Sequence, residues 1–200
     1  MAGTLGAVVT ADGVSYILSN NHVLANENAL PPGTPIFQPG LLDSGSAAND
    51  RIATLARFVP LETDKPNRVD CALATILDAK AVAPAILPKI GRLKSAEPIE
   101  ATEGMQVEKT GRATGYTTAT VFDVSATVPI EFELGRLTFE DQLLIRSEGG
   151  AFSDGGDSGS LIVDLSSGRA TGLLVGGSPQ FAIANHIDDV LQALNVRLVC

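Results

Sequence analysis

The sequence predicts an all-β protein: two packed antiparallel barrels followed by one C-terminal helix. Three observations carry that expectation. Short apolar runs, each bounded by turn-forming residues, recur along a chain of 200 residues that holds 20 Gly and 11 Pro. A proline-punctuated stretch, "AKAVAPAILPKIGRLKSAEP", divides these runs into two sets. Only the tail, "HIDDVLQALNV", changes period, with Ile187, Val190, Leu191 and Leu194 at helical spacing. Trp is absent, so Val, Ile, Leu and Ala must fill the core. Periodicity alone does not separate barrels from a sandwich.

The elements follow in order. "GTLGAVVT" and "VSYILSN" flank Asp12-Gly13, a hairpin signal. "TPIFQP" comes after a Pro-Gly turn, and "IATLARFV" and "CALATIL" are further runs, giving about five or six strands that end near residue 78. The second set reads "MQVEKTG", "TTATVFDVSATV", "IEFEL", "DQLLIRS", "SLIVDL", "ATGLLVGG" and "FAIAN". In "IEFEL", Glu131 and Glu133 alternate with Phe132 and Leu134, as on a strand with one solvated face. The expected organisation is a barrel over 1–80, a crossover over 81–103, a second barrel over 104–185, and a helix with its tail over 186–200.

Composition narrows the function. The net charge of −9 argues against nucleic acid, whose phosphates need clustered Lys and Arg. No run of 18 apolar residues suggests a membrane span, and no signal-like segment opens the chain, so a cytoplasmic location is expected. The two cysteines do not form a disulfide framework. Cys71 reads as a small buried hydrophobe and Cys200 as a disordered end. No His/Cys/Asp cluster has metal-ligand spacing and no glycine-rich piece matches a phosphate loop, so neither metal nor cofactor is expected.

One stretch asks for chemistry. Residues 154–160 read "DGGDSGS". A serine hydroxyl is a weak nucleophile unless a base and an orienting group activate it. The chain has two histidines. His22, in "LSNNHVLA", ends an apolar strand, whereas His186 opens the expected helix and should cap or flank it. Asp70, in "RVDCALATI", stands at the mouth of an apolar run, where a carboxylate needs a hydrogen-bonding partner.

"NNHV", "VDCALA" and "GDSGS" resemble, in that order, the three active-site segments of trypsin-like (chymotrypsin-fold) serine proteases, and the likeness spans residues 3 to 195. "SNNHVLA" is nearer to HtrA-type proteases. "TGRATGYTTATV" is similar to a hairpin of bacterial secreted proteases such as α-lytic protease, and to the trypsin-like domain of the plant narrow-leaf protein. The resemblance implies two six-stranded antiparallel barrels and a serine endopeptidase acting on protein or peptide substrates. His22 would be the general base, Asp70 its orienting acid and Ser158 the nucleophile. The N–H groups of Gly156 and Ser158 would form the oxyanion hole. Arg112 is expected to pair with Asp157 and shape that loop; a solvated surface charge is its bland alternative. Phe152 would set the base of the pocket for the P1 residue, with Val175, Gly176, Gly177 and Ala182 around it. That points to small or medium apolar P1 side chains. Val175 stands where many relatives carry a serine that touches the aspartate, which leaves the support of Asp70 open. The alternative function is a binding or scaffolding module that keeps the fold but cleaves little.

Overall fold

The computed structural model describes residues 2–78, 86–147, 149–178 and 180–200. The start of the expected crossover, 81–85, lies outside them. Strands β1 (Ala7–Ala11) and β2 (Val14–Ser19) form the first hairpin. Both of its turn residues are left-handed, Asp12 at φ 49° and Gly13 at φ 78°, the backbone that matches strand twist in a two-residue turn. A short helix α1 (Asn21–Leu24) follows, then β3 (Pro35–Phe37), β4 (Arg51–Phe58) and β5 (Ala72–Ile76). A small ribbon, β6 (Ile86–Leu87) and β7 (Gly91–Arg92), leads to β8 (Gln106–Gly111), β9 (Gly115–Phe132) and β10 (Gly135–Arg146). Strands β11 (Leu161–Asp164), β12 (Ala170–Gly177) and β13 (Ala182–His186) precede helix α2 (Ile187–Leu194) and β14 (Arg197–Leu198).

Two six-stranded antiparallel units result. The first sheet runs β14-β1-β2-β5-β4-β3, and the second closes as β10-β13-β12-β11-β8-β9. The first part of the chain supplies five strands of the first sheet; the sixth, β14, arrives from the tail. Cys200 therefore follows an ordered strand rather than a disordered end: Leu198 pairs with Val9, and the Val199 N–H donates to the Val8 carbonyl (3.1 Å). The stretch expected as three strands is instead one long hairpin, β9–β10, which runs past the barrel as a two-stranded ribbon.

The largest apolar cluster joins the two units. Val9, Leu18 and Leu73 of the first sheet pack with Leu161, Val163 and Leu173 of the barrel and with the buried Ile187, Val190, Leu191 and Leu194 stripe of α2. Cys71 is buried in this cluster, and burial, helped by the Asp70 charge, pushes its thiol well above the ordinary value. His186 precedes α2 but does not cap it with its side chain; the ring Nε2 lies 2.8 Å from the Val124 carbonyl oxygen.

Candidate active site

The ends of β2 and β5 bring His22 and Asp70 together. His22 sits in α1 immediately after β2, and Asp70 lies just before β5, which pairs with β2 through Ser19↔Ala72. The His22 ring Nδ1 is hydrogen-bonded to Asp70 Oδ2, and the His22 backbone N–H donates to Asp70 Oδ1 (3.2 Å). Both carboxylate oxygens are thus directed at His22, and Asp70 is fully buried. Its main chain is held as well: Asn20 Nδ2 donates to the Asp70 carbonyl (2.8 Å), and the Asp70 N–H donates to Asn185 Oδ1 (2.9 Å). The support left open by Val175 comes from these contacts. Val175 itself is buried at the end of β12.

The Ser158 loop lies against the same strand end. A Cβ on Gly159 would fall 2.2 Å from Ser19 Oγ, and a Cβ on Gly3 would meet both the Val23 methyl carbons and the Ser158 carbonyl oxygen. Thr4 knits the junction. Its N–H donates to the Ser158 carbonyl (2.8 Å), its hydroxyl donates to the Gly156 carbonyl (3.0 Å), and its carbonyl accepts from Ser19 Oγ (2.8 Å). Nothing in the sequence singled out Thr4, because its role is to join two other segments, the Ser158 loop and the end of β2, that are far apart along the chain. Among the described residues, the His22 ring hydrogen-bonds only to Asp70, and the Ser158 hydroxyl and N–H and the Gly156 N–H have no protein partner. Gly156 has φ 103°, a left-handed backbone that disfavours any side chain.

The expected Arg112–Asp157 pair is not formed. Arg112 instead forks onto Asp43, with Nε and Nη2 each 2.6 Å from a carboxylate oxygen, in a partly exposed pair. The cation on Asp157 is Lys109: its Nζ lies 3.1 Å from Asp157 Oδ2, and both side chains are 0% exposed. The reason is strand parity. Val107, Lys109 and Gly111 of β8 share the barrel's inner face, and a Cβ on Gly111 would lie 2.3 Å from Asp157 Oδ1. Arg112 follows β8 at the turn, where its guanidinium turns to Asp43 and passes over Gly156, a Cβ on which would lie 2.4 Å from Arg112 Nη1. The ammonium also donates to Thr114 Oγ1 and to the Gly115 carbonyl (3.2 Å), and lies 5.5 Å from the centre of the Phe152 ring. Burial lowers the Lys109 ammonium below its ordinary value, against the raising influence of Asp157. Asp157 accepts from the Ala113 N–H (2.7 Å), the Thr114 N–H (3.1 Å), Thr114 Oγ1 (2.6 Å) and the Asp154 N–H (3.1 Å).

Phe152 is buried in the barrel core with Val107, Leu143, Ile145 and Ala182. The space left beside Phe152 and Ala182 measures about 10 Å³. A Cβ on Gly176 would meet open space, whereas one on Gly177 would fall 2.6 Å from the Phe181 carbonyl oxygen. Gly177 is therefore fixed by the turn, and Gly176 leaves room beside the strand. A larger cavity of about 350 Å³, bounded by Gln106, Thr120, Arg146 and Gly150, is lined by none of the expected site residues. Among the described residues, no group of three or more His, Cys, Asp or Glu could hold a metal ion, and no helix is long and apolar enough to cross a membrane.

Comparison with known proteins adds a family and a fold. The sequence profile of the Nal1 C-terminal domain matches residues 72–185, more than half of the chain. No curated protein matches the chain. Among solved structures, Thermobifida fusca Protease A is similar at a TM-score of 0.67 and 20% identity, over 98% of this chain and 91% of its own. A glutamic acid specific serine protease that uses a histidine triad in substrate binding is similar at 0.65 and 20%, over 96% and 90%. An α-lytic protease homologue, N4, is similar at 0.63 and 17%, over 98% and 92%. At these identities the likeness shows a chymotrypsin-like fold.

Proposed function

This chain belongs to the Nal1 C-terminal domain family, and on that footing we propose that it is a serine endopeptidase acting through His22, Asp70 and Ser158. The observation that carries the reading is the buried Asp70 carboxylate, both of whose oxygens are directed at His22. A carboxylate on Nδ1–H fixes the tautomer that leaves Nε2 free to accept a proton, and it stabilises the imidazolium that forms. In the proposed route Ser158 Oγ attacks the scissile carbonyl carbon while its proton passes to His22 Nε2. The oxyanion is received by the N–H groups of Gly156 and Ser158, which have no protein partner among the described residues. His22 then protonates the departing amine. Water adds to the acyl-enzyme by the same base and releases the acid and Ser158. The route uses protein groups and water alone. The space of about 10 Å³ beside Phe152 and Ala182 favours small apolar P1 residues.

A fluorophosphonate probe tests the reading. It should label the wild type and not Ser158→Ala, and a peptide library should then be cut after small apolar residues. Absence of labelling in the folded wild type would leave the scaffolding role. A profile dominated by Arg, Lys or Glu would refute the proposed pocket.

A further inference from the structure

We infer that the β9–β10 hairpin is a strap from the second barrel that positions both members of the His22–Asp70 pair, with Phe132 as the positioning residue at its tip. The ring of Phe132 meets the His22 imidazole edge-on, with centroids 5.7 Å apart and planes at 69°. Behind it Phe139 stacks on Phe132 at 5.8 Å, and Leu61 and Leu137 close a small apolar cluster around them. At the hairpin's base, Gln142 Oε1 accepts from Asn185 Nδ2 (2.7 Å), and Asn185 Oδ1 accepts the Asp70 N–H (2.9 Å). One element therefore presses on the imidazole at its tip and orients the carboxylate's main chain at its base.

The tip is held from the opposite side by a feature with no other evident task. Asn26, Glu27 and Asn28 are three consecutive left-handed residues, at φ 48°, 55° and 70°. Side-chain-bearing residues hold that conformation in a row only where the surroundings over-determine it. Here Asn21 and Asn28 bond to each other and clip the Val59 and Leu61 carbonyls. That shape aims the buried Glu27 carboxylate at the hairpin turn, where it accepts the N–H groups of Glu133 (3.1 Å) and Leu134 (2.8 Å). A hairpin turn in water needs no carboxylate for its N–H groups, and burying one costs free energy. The return is a fixed tip. The middle of the strap is fixed as well, since the Asn67 N–H donates to the Thr138 carbonyl and the Glu140 N–H to the Asn67 carbonyl. Asp141, at φ 57° where the register shifts, bends the ribbon off the barrel toward the first sheet and pairs with Arg68.

The task given to the imidazole rests on the hydrolase reading, but the positioning of the ring does not, and the two are measured apart. In the full chain, the solvent exchange of the His22 Nδ1 proton is followed by NMR alongside the rate of fluorophosphonate labelling, with folding checked by circular dichroism. In Phe132→Ala the proton should exchange about tenfold faster and labelling should slow by about tenfold or more, the scale of effect expected when a reacting group is displaced. Phe132→Leu should recover most of both. Glu27→Gln keeps one acceptor and should fall between. Nδ1 exchange unchanged in a folded Phe132→Ala variant would overturn the inference. A wild type that is not labelled removes the hydrolase reading and leaves the exchange measurement to decide the strap.

Discussion

At the scale of single residues, the cation on Asp157 decides how the Ser158 loop is held. Two basic residues flank the same turn, and only Lys109 shares the inner face with Val107. The alternation that could have identified it is visible in "MQVEKTG", whereas Arg112 was expected from the resemblance of "TGRATGYTTATV" to the hairpin of bacterial secreted proteases. The two side chains should differ sharply on removal. Lys109→Met leaves the Asp157 carboxylate buried and unpaired, a loss on the order of 3–5 kcal/mol. Arg112→Ala removes a partly exposed pair worth about 0–1 kcal/mol and should leave the loop intact. Urea unfolding of both variants, with fluorophosphonate labelling of each, checks the contrast. A second expectation concerns pH. Burial by itself would raise the Asp157 carboxyl, but hydrogen bonds from Thr114 Oγ1 and from the N–H groups of Asp154, Ala113 and Thr114 outweigh it and hold the group below its ordinary value. A carboxyl depressed in the folded state contributes stability that is complete above its unfolded value and is lost as pH falls through the folded one. Stability should therefore decline with acid below about pH 4, and less steeply in Asp157→Asn. Parallel profiles would exclude Asp157 as a source of the slope.

At the scale of elements, the long hairpin is where sequence and structure part. The runs "TTATVFDVSATV", "IEFEL" and "DQLLIRS" read as three strands, the first two parted at Pro129. In this extension the outer edge of β9 has no strand to serve, so Pro129 sits within β9, opposite Thr138, without breaking it. The small strand β14 was missed for a related reason: two residues are too few to show a period. Its contribution is nevertheless apolar and buried, with Leu198 on Val9 at the edge of the first sheet. Leu198→Ala should cost about 2–5 kcal/mol, measured by chemical denaturation. A loss below about 0.5 kcal/mol, the range of ordinary surface substitutions, would mean that the tail strand is an ornament of the fold.

At the scale of the molecule, the candidate site lies where two sheets, the N-terminal segment at Thr4 and the β9–β10 ribbon converge. The sequence by itself determined what is local or periodic. Alternating apolar runs and turn residues set the all-β class, the Asp12-Gly13 hairpin and the α2 stripe, while His22, Asp70 and Ser158 were expected as site residues from the resemblance of three short segments. These are legible because strand period, helix period and turn chemistry act between neighbours along the chain. Tertiary structure alone decided that Lys109 meets Asp157, that Thr4 joins the Ser158 loop to Ser19, that β14 completes the first sheet, and that Glu27 and Phe132 meet across the hairpin tip. Each is a contact between distant segments, fixed by the direction a side chain takes once both backbones are in place, and no local pattern encodes that direction.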